Sequence, residues 1–181
     1  MPAIYLDTSA AAKLFQQEAE SDALQDWLTH QGDAPVLTCD LTRTELRRAL
    51  LAAQPDPDTA QACDSWLTDC AAIRLTSNLC DRAGVLQVGT RLRSLDALHL
   101  AAALSLGPAL SAFVAYDARL RDAARRAGLP VVAPGARGPS SHAYDDPSGD
   151  DRDLDAGDDE LGADGPDEKP SAAPAEEHGT T

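Results

Sequence analysis

Four acidic residues occupy places that an alternating α/β chain turns into ligand positions: Asp7 closing AIYLD, Glu45 in LTRTEL, Asp96 in SLDALHLAAA and Asp117 closing AFVAYD. Carboxylates on strand ends and helix starts point to a shared pocket. Such a pocket repels itself, since two carboxylates about 4 Å apart cost about 4 kcal/mol at an effective dielectric of 20. A hard divalent cation is the simplest remedy. An oxygen-only set suits Mg²⁺ or Mn²⁺, whereas zinc would call for His or Cys. A cation so held lowers the pKa of bound water, binds a nonbridging phosphate oxygen and stabilises the leaving oxygen of an in-line displacement. The substrate class that follows is a phosphodiester, with one acid free to take the proton of the attacking water.

Other chemistries find little support. No Ser/His/acid or Cys/His arrangement stands out, and neither GxxxxGK[ST] nor GxGxxG occurs, which weakens the case for ATP and dinucleotide cofactors. Transfer through an aspartyl phosphate would need a second Asp two residues on, and Asp7 is followed by Thr8 and Ser9. The cysteines Cys39, Cys63, Cys70 and Cys80 form no CxxC pair and read as reduced, small core residues.

The residues around the acids have plain readings as well. Any single Asp at a strand end is commonly a helix cap, so it is the joint occurrence of the four that counts. Thr8 and Ser9 read as caps that could also hydrogen-bond a ligand carboxylate. His99 lies inside an apolar helix and reads as a core histidine with a satisfied hydrogen bond. Arg43, Arg47 and Arg48 flank Glu45, while Arg119, Arg121, Arg125 and Arg126 follow Asp117. They are suited to phosphates near the pocket and equally to local salt bridges on solvated helix faces.

The elements that must position these side chains alternate. AIYL reads as a strand running into a helix over DTSAAAKLFQQEAE, and SDALQDWLTHQ restarts a helix. APVLTC is a second strand and LTRTELRRALLAAQ the next helix, ended by Pro55 and Pro57. A helix from Thr59 to Cys70 precedes the strand AIRLT, and SNLCDRAGVLQVG is a helix capped by Ser77. DALHLAAALSLG is apolar almost all round, which marks a buried helix, with SAFVAYD the strand behind it. ARLRDAARRAG is a helix with a glycine stop before the last strand, LPVVAPG. This order predicts a three-layer α/β/α sandwich with a mostly parallel central sheet. In such sheets ligands gather at the carboxyl ends of strands. Asp7 and Asp117 are expected on last strand residues, with Glu45 and Asp96 approaching from the first turns of helices.

Composition divides the 181 residues near position 138. Residues 139 to 181 hold 14 Asp and Glu against Arg152 and Lys169, with many Gly, Pro, Ser and Ala. They are expected to form a disordered acidic tail, because so few large apolar residues cannot offset the entropy of folding. That segment carries −12 of the formal net charge of −15, leaving −3 for the domain at 1 to 138. The low pI of 4.4 therefore describes the tail and the site, and does not exclude nucleic acid. No signal peptide or apolar run of about 18 residues is evident, so a cytoplasmic protein without a membrane span is expected.

Taken in order, DTSA after the first strand, the Glu in the helix after the second, DALHLAAA and YDARLRDAARRAGLPVVAPG resemble the PIN domain, and in particular its VapC-type toxin ribonucleases. The resemblance spans roughly residues 2 to 135 and leaves out the acidic tail. It implies a PIN-like fold and Mg²⁺-dependent endoribonuclease activity, with Asp7, Glu45, Asp96 and Asp117 on the family's catalytic, metal-binding positions. It further implies an RNA substrate, a cognate antitoxin protein and a homodimer, as expected of a type II toxin–antitoxin pair. A stand-alone RNA-processing nuclease and a non-catalytic PIN-like binding module are the alternatives, the second disfavoured because all four acids are kept.

Overall fold

The computed structural model describes residues 2–88 and 92–136. The sequence reading of residues 139 to 181 as a disordered tail lies outside them. Among the described residues, five strands alternate with seven α-helices: β1 (Ala3–Leu6), α1 (Thr8–Ala12), α2 (Ser21–His30), β2 (Val36–Cys39), α3 (Asp40–Ala53), α4 (Pro57–Asp69), β3 (Ala71–Ile73), α5 (Ser77–Gly84), α6 (Ser94–Leu104), β4 (Leu110–Val114), α7 (Ala118–Arg126) and β5 (Val131–Val132). The strands form one sheet in the order β3-β2-β1-β4-β5, and every neighbouring pair is parallel. The expected α/β/α architecture is therefore present, with a sheet that is wholly parallel.

Alternation along the strands builds the layers, since successive side chains point to opposite faces. Tyr5 and Phe113 belong to one face, in a cluster with Leu79, Ala83, Leu100, Leu120 and Ala123 of α5, α6 and α7. Their rings stack at 5.4 Å and 10°. Ile4, Leu6, Ala112 and Val114 belong to the other face, against Leu24 of α2. A third cluster joins Ala11 and Ala12 of α1 to Leu46 and Leu50 of α3 and to Cys63 and Leu67 of α4. That last cluster matters for the site, because it clamps the helix bearing Glu45 against the one that begins at Thr8. Full burial of a leucine such as Leu46 contributes about 1.5–3 kcal/mol.

Several element ends differ from the sequence reading. The first helix stops at Ala12, because Lys13 turns inward, 5% exposed, and pairs with Glu18 and Glu20. α3 ends at Ala53 with Gln54 in the left-handed region at φ 53°, so Pro57 starts α4 instead of ending α3. Proline suits that place, where its missing N–H has no helical partner to lose. Thr76, not Ser77, caps α5, its hydroxyl accepting from the Leu79 N–H at 3.3 Å. The glycine stop after α7 is as expected: Gly128 takes φ +80°, and the Gly128 and Leu129 N–H groups return to the Arg125 and Ala124 carbonyls. Of the cysteines, Cys39 and Cys63 are core residues, Cys70 is half-buried and Cys80 is exposed; all four are free.

Candidate metal centre

The chain leaves β1 for β2 and β3 on one side and later returns to β4 and β5 on the other, so the sheet order reverses at β1 and β4. The crevice beyond the carboxyl ends of those two strands is where a parallel sheet offers its ligand site. Asp7 stands there directly after β1, only 4% exposed, with its N–H continuing the ladder to the Val114 carbonyl at 3.1 Å. It is the cap of α1, accepting the Ala10 N–H at 2.9 Å. Asp117 lies three residues past the last residue of β4 and caps α7, accepting from the Leu120 N–H at 2.8 Å. Neither acid is a strand residue, in contrast to the sequence reading. Each follows its strand, because the cap's extended backbone lets the carboxylate fold back over the helix start.

Glu45 is the sixth residue of α3, in its second turn and not its first; even a start at Leu41 makes it the fifth, past the 3.6 residues of one turn. One turn more carries its side chain over Thr8. The Thr8 hydroxyl donates to Glu45 Oε2, and His99 Nε2 lies 2.9 Å from the same oxygen. Asp96 is in the first turn of α6, as expected, and its buried Oδ2 has no hydrogen-bond partner among the described residues.

The proton affinities follow from these surroundings. Burial raises Asp7 above the usual carboxylate range, against the opposing pull of His99, Ser9 and Ala10. Burial raises Asp96 too, and the neighbouring Asp117 charge adds to it, while Arg93 and Arg119 draw it back. Burial works on Glu45 in the same direction, yet the hydrogen bonds from His99 and Thr8 outweigh it and hold this group below the usual range. Burial also presses on the His99 imidazole, but Cys39 and Glu45 prevail and lift it to about 10.

The structure thus brings Glu45, Thr8 and His99 into contact and sets Asp96 beside Asp117, with Asp7 between α1 and the sheet. Among the described residues, no three His, Cys, Asp or Glu side chains are drawn closely enough together to hold an ion by themselves. The set nonetheless fits a hard cation that keeps part of its water shell, as Mg²⁺ does when one or two carboxylates hold it. The donors are all oxygen, and the orphaned Asp96 Oδ2 is a buried acceptor of the kind a cation or its water satisfies.

Three neighbours take fuller parts than their sequence context indicates. The Ser9 hydroxyl donates to Asp7 at 2.7 Å and Thr8 donates to Glu45, so both cap candidates do bond candidate ligands. His99 is the buried, hydrogen-bonded core residue expected, but one of its partners is Glu45. Its spacing carries that signal, because residues three apart on a helix share a face and His99 follows Asp96 by three. Of the arginines, Arg47 pairs with Asp64 at 2.9 Å and Arg125 with Asp122 at 3.1 Å, both on solvated faces, whereas Arg119 and the unremarked Arg93 act on Asp96.

The PIN domain family model matches residues 4–126, a span that holds all four acids. Ribonuclease VapC35 of Mycobacterium tuberculosis is 42% identical over 139 residues, covering 73% of this chain and 97% of that protein. Ribonuclease VapC46 of the same organism is 41% identical over 134 residues, covering 74% and 99%. Among solved structures, the sarcin-ricin loop cleaving toxin VapC20 of M. tuberculosis superposes with a TM-score of 0.57 at 20% identity over 70% of this chain and 96% of that one. VapBC2 of Rickettsia felis bound to a promoter DNA fragment gives 0.55 at 14%, over 72% and 98%. At such identities the likeness is one of fold. With the parallel sheet, the acids at its switch point and these relatives together, the chain belongs to the PIN-domain family, as a member of its VapC type.

Proposed function

We propose that the chain is a divalent-metal-dependent endoribonuclease that hydrolyses RNA phosphodiester bonds, and that it is the toxin of a type II toxin–antitoxin pair. The observation that carries this is the buried Asp96 Oδ2, which has no hydrogen-bond partner among the described residues and whose acidity the Asp117 charge shifts; Asp7 at the reversal of strand order, with the adjacent Thr8 bonded to Glu45, supports the same reading. Relatives named as ribonucleases, at 41% and 42% identity, support RNA as substrate. The VapBC2 complex among the fold neighbours supports an antitoxin partner. The domain occupies residues 1 to 138, and a homodimer is the assembly in keeping with the family.

Asp7, Glu45, Asp96 and Asp117 would hold the cation, Mg²⁺ or Mn²⁺. When bound, it supplies a water of lowered pKa and neutralises charge on the phosphate. The chain's own residues do the rest. Ser9 and Thr8 orient Asp7 and Glu45, Arg93 and Arg119 offer positive charge to the substrate backbone beside Asp96, and a carboxylate of the set accepts the proton of the attacking water as the phosphorus–oxygen bond to the leaving group breaks. No helix among the described residues is long and apolar enough to cross a membrane, in keeping with a cytoplasmic site of action.

The purified full chain is expected to cleave single-stranded RNA with Mg²⁺ or Mn²⁺, to stop on chelation, and to lose activity in Asp7→Asn and Asp96→Asn while both variants remain folded. Cleavage that ignores chelator would refute the metal mechanism. Growth arrest on expression, relieved by a short neighbouring reading frame, separates a toxin from a stand-alone RNA-processing nuclease.

A further inference from the structure

The metal chemistry of four acids leaves one buried side chain of α6 without a task. His99 is 3% exposed, and both ring nitrogens are engaged. Nε2 lies 2.9 Å from Glu45 Oε2 and 3.2 Å from the Thr8 hydroxyl; Nδ1 lies 2.8 Å from the Tyr5 hydroxyl and 3.6 Å from Cys39 Sγ. A carboxylate only accepts, so Nε2 carries the proton of the bond to Glu45. Tyr5 is held in turn, fully buried in the central strand, its ring stacked on Phe113 and edge-on to the imidazole at 6.0 Å. Thr8 donates to the same Glu45 oxygen, whereas Glu45 Oε1 has no hydrogen bond among the described residues.

The arrangement is directional. A glutamate on a helix has three rotatable side-chain bonds and would otherwise sample several positions of its carboxylate. Here two donors from different elements, α1 and α6, fix one oxygen and leave the other unclaimed. We propose that His99, backed by Tyr5, is a positioning residue that holds the Glu45 carboxylate by Oε2 and leaves Oε1 as the atom available to a divalent cation. This rests on the metal-dependent reading above, and its test separates the two.

The full chain is titrated with Mn²⁺ and the free ion followed by electron paramagnetic resonance, with a thermal melt of every variant. Asp96→Asn reports on the metal site itself. His99→Leu removes the donor while keeping a buried apolar shape, His99→Gln restores an N–H near the Nε2 position, and Tyr5→Phe removes only the hydroxyl behind the ring. Partners of this kind tune metal affinity by roughly 10- to 100-fold. His99→Leu is expected to weaken Mn²⁺ binding by roughly that factor, His99→Gln to recover most of it, and Tyr5→Phe to lose several-fold. A histidine that merely fills space would change the melting temperature without moving Mn²⁺ affinity, and Gln would not rescue it. If His99→Leu and Tyr5→Phe bind Mn²⁺ like the wild type while Asp96→Asn does not, the positioning role is overturned and the metal site stands. If the wild type takes up no Mn²⁺, both readings fall. Should His99→Leu fail to fold, Tyr5→Phe decides, and parity with the wild type overturns the proposal.

Discussion

The hydroxyl of Ser9 accepts the main-chain N–H of Tyr116 at 2.8 Å, across 107 positions of sequence. The same hydroxyl donates to Asp7, at 2.7 Å from Oδ1 and 2.9 Å from Oδ2. One small side chain thereby ties the segment after β4 to the acid that follows β1. Ser9→Ala is expected to lower RNA cleavage by roughly 10- to 100-fold, the range for groups that orient metal ligands. Stability should fall by about 1–3 kcal/mol, because a buried carboxylate and a main-chain N–H each lose a partner. Cleavage assays with Mn²⁺ beside thermal melts check both; an unchanged rate would remove Ser9 from the site.

Asp96 links acidity to stability. Burial and then the Asp117 charge raise its folded pKa above the ordinary 3.8. A carboxyl group so raised stabilises the fold below its ordinary value and loses that contribution as pH rises through the folded value. In chelator at neutral pH the charged Asp96 therefore weighs against the fold. Asp96→Asn should melt at the same temperature as the wild type or higher there, and the gap should narrow as the pH is lowered toward 4, while cleavage with Mg²⁺ is lost. A clear drop in the variant's metal-free melting temperature at neutral pH would contradict this.

Lys13 offers a structural counterpart away from the acids. It is buried beside Glu18 and Glu20, the latter at 2.7 Å, with its ammonium 4.6 Å from the centre of the Tyr116 ring. Burial opposes its charge, but the hydrogen bonds to Glu18 and Glu20 prevail and raise it above 10.5, while Lys13 lowers Glu20 below 4.5. The raised lysine contributes below 10.5 and stops contributing as pH climbs through its folded value. The lowered glutamate contributes above 4.5 and stops as pH falls through its own. Lys13→Met should cost about 1 kcal/mol near neutrality, because both glutamates are solvated enough to rehydrate. Urea melts should show the deficit shrinking at both pH extremes.

Packing and ligation are separable one residue past His99. Leu100 is fully buried in the cluster between α6 and the sheet. Leu100→Ala should cost about 2–5 kcal/mol while the folded fraction keeps its Mn²⁺ affinity, seen in melts and metal titration at low temperature. Weakened affinity at full folding would mean that the core sets the site's geometry more directly than the hydrogen bonds do.

The order of elements and the residence of α6 in the core were legible in the sequence because period and capping are local properties. DALHLAAALSLG is apolar almost all round, and the helix found there buries Ala97 and His99 to Ala103. The turn that holds Glu45 follows from counting 3.6 residues from the helix start, and a start at Asp40 or at Leu41 alike puts it in the second. What is not local was less legible. For Asp7 and Asp117 the sequence does not separate a cap from a strand end, because the two look alike until the carboxylate has chosen a helix N–H. The neighbours of the acids were harder still. That Ser9 meets Tyr116, and that His99 reaches Tyr5 and Glu45 in particular, depends on strand pairing between distant segments; spacing shows only that His99 shares a helix face with Asp96.

That pairing also has a consequence for synthesis. β1 is the central strand, yet its β4 neighbour lies more than a hundred positions later, with Tyr5 opposite Phe113 and Leu6 opposite Val114. Contacts so remote in sequence form late and slowly, because the intervening loop must be closed before they repay its entropy. A ribosome that has released only the first hundred residues holds a chain with Asp7, Glu45 and Asp96 but no strand to complete the crevice. Any cleavage should therefore appear only when about 117 residues and the exit-tunnel length behind them have been made, so that activity waits on the second half of the sheet.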